Sequence, residues 1–583
     1  MSGDELNRVT GGSTRWPLGF QSLCGAILIW LAQPPLGLSM LAWVAVIPWL
    51  HWSTHKRLCG RDYVWFFAVA TVYWAVTMQG IRHAHPAMYA ALVAFALYLA
   101  VYSLAFVWLI RRSWQQGEGV IPFWVAVPMI GTGLECIRNY LLTGVSAAML
   151  GHTQATNPVV IQIADTFGSY GVTFLVLLVN AAIYQSAQQW RRGAARYWIP
   201  AGATGLLLVT AIGYGTWRLY QANALQAHRS SEVAIALIGR DEEIVFVQDS
   251  QRELEIFDAY FRQTVDAAQA VAQRGGNLDA IVWPESMFTG ALPWMLLDDP
   301  KEGRGSLDPQ TIPIIEENQR QFKYRSAQVQ SAVRRVTGQA FDPDLIVGCS
   351  VVYFGKPVEV FSSVVHVGQR GAVTDWYGKT HLVMFGEYIP LIDYLPWVHA
   401  WVPAGMGVER GKGPIAMRVG DVRLAPNVCI ETAVERVALN QIRQLSQAGS
   451  PADAIVNVTN DGWFDGTSIV EHHLRCSQFV AVACRRPVLM AANGGPTVWI
   501  DGAGRVVERL ANDRSGSIVA DLDLDGRWGL YQSIGDWPAR WLAAFCLWLI
   551  VARGWHWRRR CDAVSLSAGV DDRRVESPIV LPA

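Results

Sequence analysis

Apolar and polar positions follow two rhythms along this chain, and the change falls near residue 220. Before it, long apolar stretches alternate with short basic connections. Met88 to Ile110 is apolar without a break and long enough to cross a bilayer, which takes about 20 residues at about 1.5 Å each. Similar stretches at about 18–33, 37–52, 63–79, 120–140, 158–186 and 197–217 bring the expected spans to seven, in a transmembrane domain covering 1–220. An eighth is expected at about 537–555, where Arg540 and Arg553 bracket a short apolar core and must reach for the interfaces. An amphipathic surface helix is the other reading of that segment. The first stretch lacks a clean small-residue cleavage site and leads directly into further spans, so it reads as retained rather than as a signal peptide.

From about 230 to 530 the pattern becomes that of a water-facing domain. Strand-like runs recur at Val233–Ile238, Asp279–Trp283, Leu345–Tyr353, Ser362–Val367, Arg423–Val428, Ala454–Val458, Pro487–Ala491 and Thr497–Ile500. Helix-length segments separate several of them: Ser250–Arg274, Gln319–Thr337, Glu431–Ala448 and Ser468–Arg485. The alternation predicts an α/β fold. The glycines in Ile500–Val506 predict a hairpin there. Leu296–Asn318, rich in Asp, Pro and Gly, predicts a surface loop, and 556–583 a tail beyond the last span.

Charge fixes the orientation. Arg8 and Arg15; Lys56, Arg57 and Arg61; Arg111 and Arg112; Arg191, Arg192 and Arg196; and Arg558, Arg559 and Arg560 fall in alternate connections, whereas the others hold only Arg82, Arg138 and Arg218. The positive-inside rule then places both termini in the cytoplasm and the α/β domain on the opposite face, which in a bacterium is the periplasmic side of the inner membrane. Net charge is zero and no broad basic patch lies outside the membrane connections, which points away from nucleic acid. The nine cysteines show neither CxxC pairs nor metal-ligand spacing, so no metal or cofactor is expected. Cys349, Cys429, Cys476 and Cys484 lie in the α/β domain, where a disulfide stays open.

Three short stretches of that domain offer a carboxylate, an ammonium and a thiol: Trp283-Pro284-Glu285-Ser286, Tyr377-Gly378-Lys379-Thr380-His381 and Asn427-Val428-Cys429-Ile430-Glu431. Together they supply a base, a cation for an oxyanion and a nucleophile for acyl transfer. Glu285 and Cys429 each follow a predicted strand. Cys429 is expected to open a helix, whose N-terminus would lower the thiol pKa below about 8.5 and aim the Ile430 N–H at the oxyanion. Singly, each residue has a plainer reading: Cys429 a core thiol, Lys379 a solvated charge, Glu285 and Glu431 helix-start carboxylates. His381, His472 and His473 lack a ligand pattern and read as structural or loop residues. The apolar tract Tyr388–Pro403, with Trp397 and Trp401, is either a packed loop or an arm dipping into the membrane interface.

These stretches resemble the nitrilase superfamily, and within it the apolipoprotein N-acyltransferase family along nearly the whole chain. Further matching motifs are His381–Pro390, Asn460-Asp461-Gly462-Trp463-Phe464 and Ala492-Asn493-Gly494-Gly495, with Glu135-Cys136-Ile137-Arg138, Leu142-Thr143-Gly144 and Leu150–Gln154 in the membrane half. The resemblance implies an α-β-β-α sandwich on about eight spans. It implies a ping-pong reaction in which a phospholipid, phosphatidylethanolamine above all, acylates Cys429, and the α-amine of a diacylglyceryl-cysteine apolipoprotein then takes the chain. Glu285 would be the base and Lys379 the oxyanion's cation. Glu387 and Glu431 would orient the triad and the amine, with Ile430 and Trp463 as supporting residues.

The chain departs from the family at Ile430, commonly Tyr, at Ile238–Glu243, usually a Gln-Gly-Asn-Ile-Pro-Gln-like stretch, and at Val145-Ser146-Ala147, usually Phe-Pro-Trp. None touches the three central residues. The rival readings are a membrane-anchored amidase that hands the acyl group to water, and a lipid- or lipoprotein-binding scaffold without turnover.

Overall fold

The computed structural model describes residues 17–115, 121–226, 230–244, 250–288, 292–297, 310–355, 357–384, 386–388, 407–511 and 514–551. Helices follow the apolar stretches of the first half: α1 (Leu18–Ala32), α2 (Ile47–Ser53), α3 (Gly60–Thr77), α4 (Met88–Gln115), α5 (Phe123–Tyr140), α6 (Pro158–Ile161), α7 (Ala164–Arg191) and α8 (Ile199–Gln226). Among the described residues α4, α7 and α8 are long and apolar enough to cross a membrane, while α1 and the helix Trp537–Val551 are apolar but shorter. α7 is largely buried by its neighbours, whereas α8 turns Leu206, Leu207, Val209 and Ile212 outward.

Two expected spans are not single helices. The stretch at 37–52 consists of a 3-10 turn (Ser39–Trp43) followed by α2, after Pro34, Pro35 and Gly37 have broken the chain direction. Helix α2 rises only about 10 Å, so irregular backbone lies inside the bundle and needs protein partners for its polar groups. Asn180 of α7 supplies them: its Nδ2 donates to the Ala42 carbonyl at 2.9 Å and its Oδ1 accepts from Val46 N at 2.9 Å. The stretch at 158–186 starts with the short α6, and α7 itself breaks at Gly168 (φ +64°), where a Cβ would lie 2.6 Å from the Tyr531 ring.

The second half forms two sheets. One is ordered β13-β1-β2-β4-β5-β6, from β13 (Gly516–Asp523), β1 (Ser230–Gly239), β2 (Ala280–Trp283), β4 (Asp344–Phe354), β5 (Glu359–Val367) and β6 (Val373–Gly378), with β3 (Trp294–Leu297) beside β4. The other is ordered β12-β11-β10-β9-β8-β7, from β12 (Val506–Arg509), β11 (Val498–Ile500), β10 (Val488–Asn493), β9 (Ala454–Asn460), β8 (Val422–Val428) and β7 (Met417–Val419). The period-2 alternation of side chains builds the layers. Ile235, Leu237 and Val282 of the first sheet meet Leu424, Val428, Val456 and Leu489 of the second in one core. The alternate residues face outward to helices. Ala236, Ile238, Ile281 and Trp283 pack on α9 (Ser250–Gln273) and α10 (Thr311–Thr337). Ala425, Ile455, Val488 and Met490 pack on α11 (Glu435–Gln447) and α12 (Ser468–Cys484). The result is an α-β-β-α sandwich.

All eight anticipated strands form, and the hairpin at Ile500–Val506 joins β11 to β12. Strands β3, β6, β7 and β13 were not legible as separate runs. The expected loop at Leu296–Asn318 is shorter than its bounds, since Leu296 and Leu297 end β3 and α10 begins at Thr311; 298–309 lie outside the described residues. So do 389–406, which hold Trp397, Trp401 and nearly all of the Tyr388–Pro403 tract, and 552–583 with the tail. Cys349, Cys429, Cys476 and Cys484 are free thiols.

The two halves are locked by a buried charge. Arg485, at the end of α12, reaches Asp165 of α7 at 2.5 Å, and Arg218 of α8 reaches the same oxygen at 2.7 Å. Around it Phe479 and Val482 of α12 pack on Ile161, Ala164 and Val172.

Candidate active site

Glu285, Lys379 and Cys429, 94 and 50 residues apart in sequence, are delivered to one place by three strand ends. Glu285 follows β2 in a tight turn in which Ser286 takes φ +61°. Gly348 of β4 makes room for it, since a Cβ there would stand 2.5 Å from Glu285 Cα and 2.4 Å from the Pro284 carbonyl. The carboxylate accepts from Ser362 Oγ at 3.0 Å and from Asn460 N at 3.3 Å. Lys379 follows β6, pinned by its own N–H to the Ser362 carbonyl at 2.9 Å. Its side chain is 1% exposed, and Nζ lies 3.8 Å from Glu285 Oε1 and 2.7 Å from Glu387 Oε1. The second oxygen of Glu387 accepts from Val383 N at 2.8 Å.

Cys429 follows β8 with φ +50°, a conformation that L side chains rarely take and that persists only where the surroundings enforce it. It opens a single 3-10 turn, Cys429–Thr432, and α11 starts only at Glu435. The expected long helix at this thiol is therefore absent, and one 3-10 turn carries little aligned dipole. Burial pushes the Cys429 thiol up, Glu285 adds to the rise, and Lys379 opposes it. The expectation of a depressed thiol pKa is overturned: the resting group is a thiol and needs a base. Glu285 suits that part, because burial raises its carboxyl above the ordinary range while Lys379 holds it back. Burial works against the charge of Lys379, but Glu285, Cys429 and Glu387 outweigh it and keep the ammonium.

Glu431, fully buried, is a strut. Its carboxylate accepts from Tyr377 Oη at 2.9 Å, Thr380 N at 2.8 Å, Thr380 Oγ1 at 2.7 Å, His381 N at 3.0 Å and Val428 N at 2.8 Å, tying the lysine loop to the nucleophile turn. With both oxygens occupied it does not reach an incoming amine, so of the two parts expected of it only orientation of the triad fits the geometry. Ile430 is half-buried within the nucleophile turn, and Trp463 half-buried on a 3-10 turn (Asp461–Phe464) after β9. His381 does not pair with Cys429: burial, with Arg436, Arg410 and Lys379 nearby, lowers its pKa to about 4, and its backbone N–H serves Glu431. His472 and His473 lie on α12 rather than in a loop.

Sequence reasoning missed Ser362, Thr459 and the backbone of Asn460. The first opens the strand-like run Ser362–Val367, but nothing in a lone serine signals a carboxylate partner 77 residues away.

Comparison with known proteins follows the same division of the chain. Residues 25–182 match the apolipoprotein N-acyltransferase N-terminal domain and residues 235–528 the carbon-nitrogen hydrolase domain. The apolipoprotein N-acyltransferase of Rhodopirellula baltica is 39% identical over 588 residues, covering 94% of this chain and 100% of the relative. That of Geobacter metallireducens is 29% identical, covering 88% and 91%. An amidase from Nesterenkonia sp. aligns with 54% of this chain and 97% of its own at 15% identity and a TM-score of 0.32. With matched domains on both halves and a relative matched over its full length, the chain belongs to the apolipoprotein N-acyltransferase family, acyltransferases of lipoprotein maturation in bacteria.

Proposed function

We propose that the chain carries an acyl group from phosphatidylethanolamine to the α-amine of a diacylglyceryl-cysteine apolipoprotein, in a ping-pong reaction through a Cys429 thioester. The convergence of Glu285, Lys379 and Cys429 from three strand ends is the observation that carries this reading. Glu285 takes the thiol proton as sulfur attacks the ester carbonyl. The oxyanion forms against the Lys379 ammonium and the Ile430 N–H. Collapse expels the lysolipid oxygen, which takes the proton back from Glu285 and leaves the thioester. The amine then attacks the thioester carbonyl, gives a proton to Glu285 and displaces the thiolate, which recovers that proton. Glu387 anchors Lys379 throughout, and Trp463 is the candidate for substrate contact.

Both substrates are held in the bilayer by their chains, at about 0.8 kcal/mol per buried CH₂, so the site belongs at the membrane surface. The arrangement supports eight crossings, with 37–52 as a broken one. Arg111 donates to the Ser53 and His55 carbonyls at 3.2 and 2.5 Å, and Arg192 stacks 5.7 Å from Trp114, which gathers basic connections at one end of the bundle. At the other end Arg436 of the sandwich donates to the Thr143 carbonyl at 2.7 Å. Basic end in the cytoplasm, sandwich in the periplasm, is the orientation we infer. Trp528, Trp537 and Trp541, all exposed, suit the interface between.

Intact-mass analysis after incubation with phosphatidylethanolamine tests the donor half. A hydroxylamine-labile acyl adduct on the wild type and none on Cys429→Ala is expected. No adduct on folded protein would overturn the reading, and an adduct lost to water as fast as to a diacylglyceryl peptide would favour the amidase.

A further inference from the structure

Below the nucleophile lies a polar cluster that the reaction as written leaves idle. Asp461, fully buried, and His473, 8% exposed, face each other with Nδ1 3.2 Å from Oδ1 and 3.3 Å from Oδ2. The other ring nitrogen, Nε2, is 3.1 Å from Thr432 Oγ1, the residue that closes the turn Cys429 opens. The Thr432 hydroxyl reaches the Cys429 carbonyl at 3.4 Å, and Asn457 Nδ2 donates to that hydroxyl at 2.7 Å and to the carbonyl at 3.3 Å. On the other side Asp461 accepts from Thr459 Oγ1 at 2.9 Å, and Thr459 in turn touches the Cys429 thiol. One carboxylate and one imidazole thus meet the nucleophile by two routes, through its carbonyl and through its sulfur.

The two adjacent histidines of α12 show what Asp461 does. Burial, with Arg475 and Arg138 nearby, drives His472 down to about 3 and leaves it neutral. Burial works against the charge of His473 too, but the Asp461 carboxylate, by charge and by a contact at 3.2 Å, outweighs it and shifts the ring toward the imidazolium. The groups facing His473 are Asp461 after β9, Glu285 after β2 and the Cys429 turn after β8. Without the imidazolium, the sulfur would give its proton to Glu285 beside the bare charge of Asp461, with Lys379 the cation opposing it.

We propose that His473 is a positioning residue for the nucleophile: through Thr432 it holds the Cys429 turn, and as the paired cation of Asp461 it cancels that carboxylate's charge at the sulfur. The inference rests on Cys429 being the nucleophile. It gives Asp461 and His473 one joint task, so the two are expected to be replaceable together and not singly.

The test uses full-length protein in detergent: wild type, His473→Gln, and the double variant Asp461→Asn/His473→Gln. Each is alkylated with iodoacetamide over about pH 6 to 10, on the rising limb below the raised thiol, and the Cys429 peptide is quantified by mass. Glutamine keeps a donor for Thr432 and loses the charge. Alkylation of His473→Gln near neutral pH is expected to slow by about fivefold or more, with its rising limb moved up by about a pH unit. The double variant is expected to return to within about twofold of wild type, because the carboxylate has gone as well. A wild-type profile in His473→Gln overturns the proposal, as does a double variant as slow as the single, which is what a purely structural contact gives. Should His473→Gln fail to fold, the double variant decides alone: a rate profile within about twofold of wild type upholds charge cancellation and a slower one overturns it. Alkylation needs no lipid, so a Cys429 that titrates as described yet never carries an acyl chain would sink the transfer reaction and spare the pairing.

Discussion

Lys379 gives its short hydrogen bond, 2.7 Å, to Glu387 and stands 3.8 Å from Glu285. The ammonium is therefore anchored by a carboxylate that is not asked to exchange a proton. In the reaction proposed, Glu285 stays close enough to feel the charge and loose enough to act as the base. Two acids around one cation divide the work by distance.

Glu387→Gln is accordingly expected to hurt by misplacing Lys379. The ammonium should close on Glu285, weakening the base and leaving the oxyanion short of a cation. Single-turnover acylation of Cys429 should slow by about 10²-fold, the scale for loss of one oxyanion partner, in protein that still shows a cooperative thermal transition.

The pH dependence follows from the raised Glu285. A base must be ionised to act, and burial places the ionisation of Glu285 above the ordinary carboxylate range. The acylation rate should rise with pH through a midpoint higher than that of a surface glutamate and be lost as pH falls below it. Glu285→Gln should remove this limb and cost about 10²- to 10⁴-fold. A midpoint in the ordinary carboxylate range would contradict the burial argument. Stability carries the opposite sign. A carboxyl whose folded pKa is raised contributes stability below its unfolded pKa and loses it as pH rises through the folded one.

Gly348 tests how tightly the Glu285 turn is seated. The Cβ of Gly348→Ala would fall 2.5 Å from Glu285 Cα, so either the turn or the strand must shift. Overpacking of this kind costs about 1–3 kcal/mol. A displacement near 1 Å at the base should cost about 10²-fold in rate. Activity falling much further than stability is the expected signature.

Much of this fold was legible because its signals are repetitive. Eight strands and four helices of the sandwich announced themselves by period, and the three central residues by following strand ends. What stayed hidden depends on partners far away in sequence. The thiol was expected to be acidic from a helix that turns out to start at Glu435, because a run of helix-forming residues does not reveal where the first turn tightens into 3-10. Strand β7, Met417–Val419, is too short to show a period, and β3 and β6 are defined by the strands they pair with. His473 reads from the sequence as a structural or loop residue, since nothing local shows that Asp461 would face it.

The lock between the halves offers a test of stability. Arg485 and Asp165 are both fully buried, and Asp165 also holds Arg218. Arg485→Met leaves that carboxylate one partner short in a dry junction. Breaking a buried pair from one side costs about 3–5 kcal/mol, and unfolding of detergent-solubilised protein should shift accordingly. A variant as stable as wild type would mean that water reaches Asp165.

Asn180 sets the order in which the bundle can be completed. The irregular backbone at Ala42 and Val46 finds its partner on a helix made 134 residues after Val46. Until α7 emerges, the Ala42 carbonyl and the Val46 N–H lack the partner they take in the finished bundle. A helix carries its own hydrogen bonds into the bilayer and can wait there alone. This segment does not, so a stretch made early takes its final hydrogen bonds only after α7 has joined it.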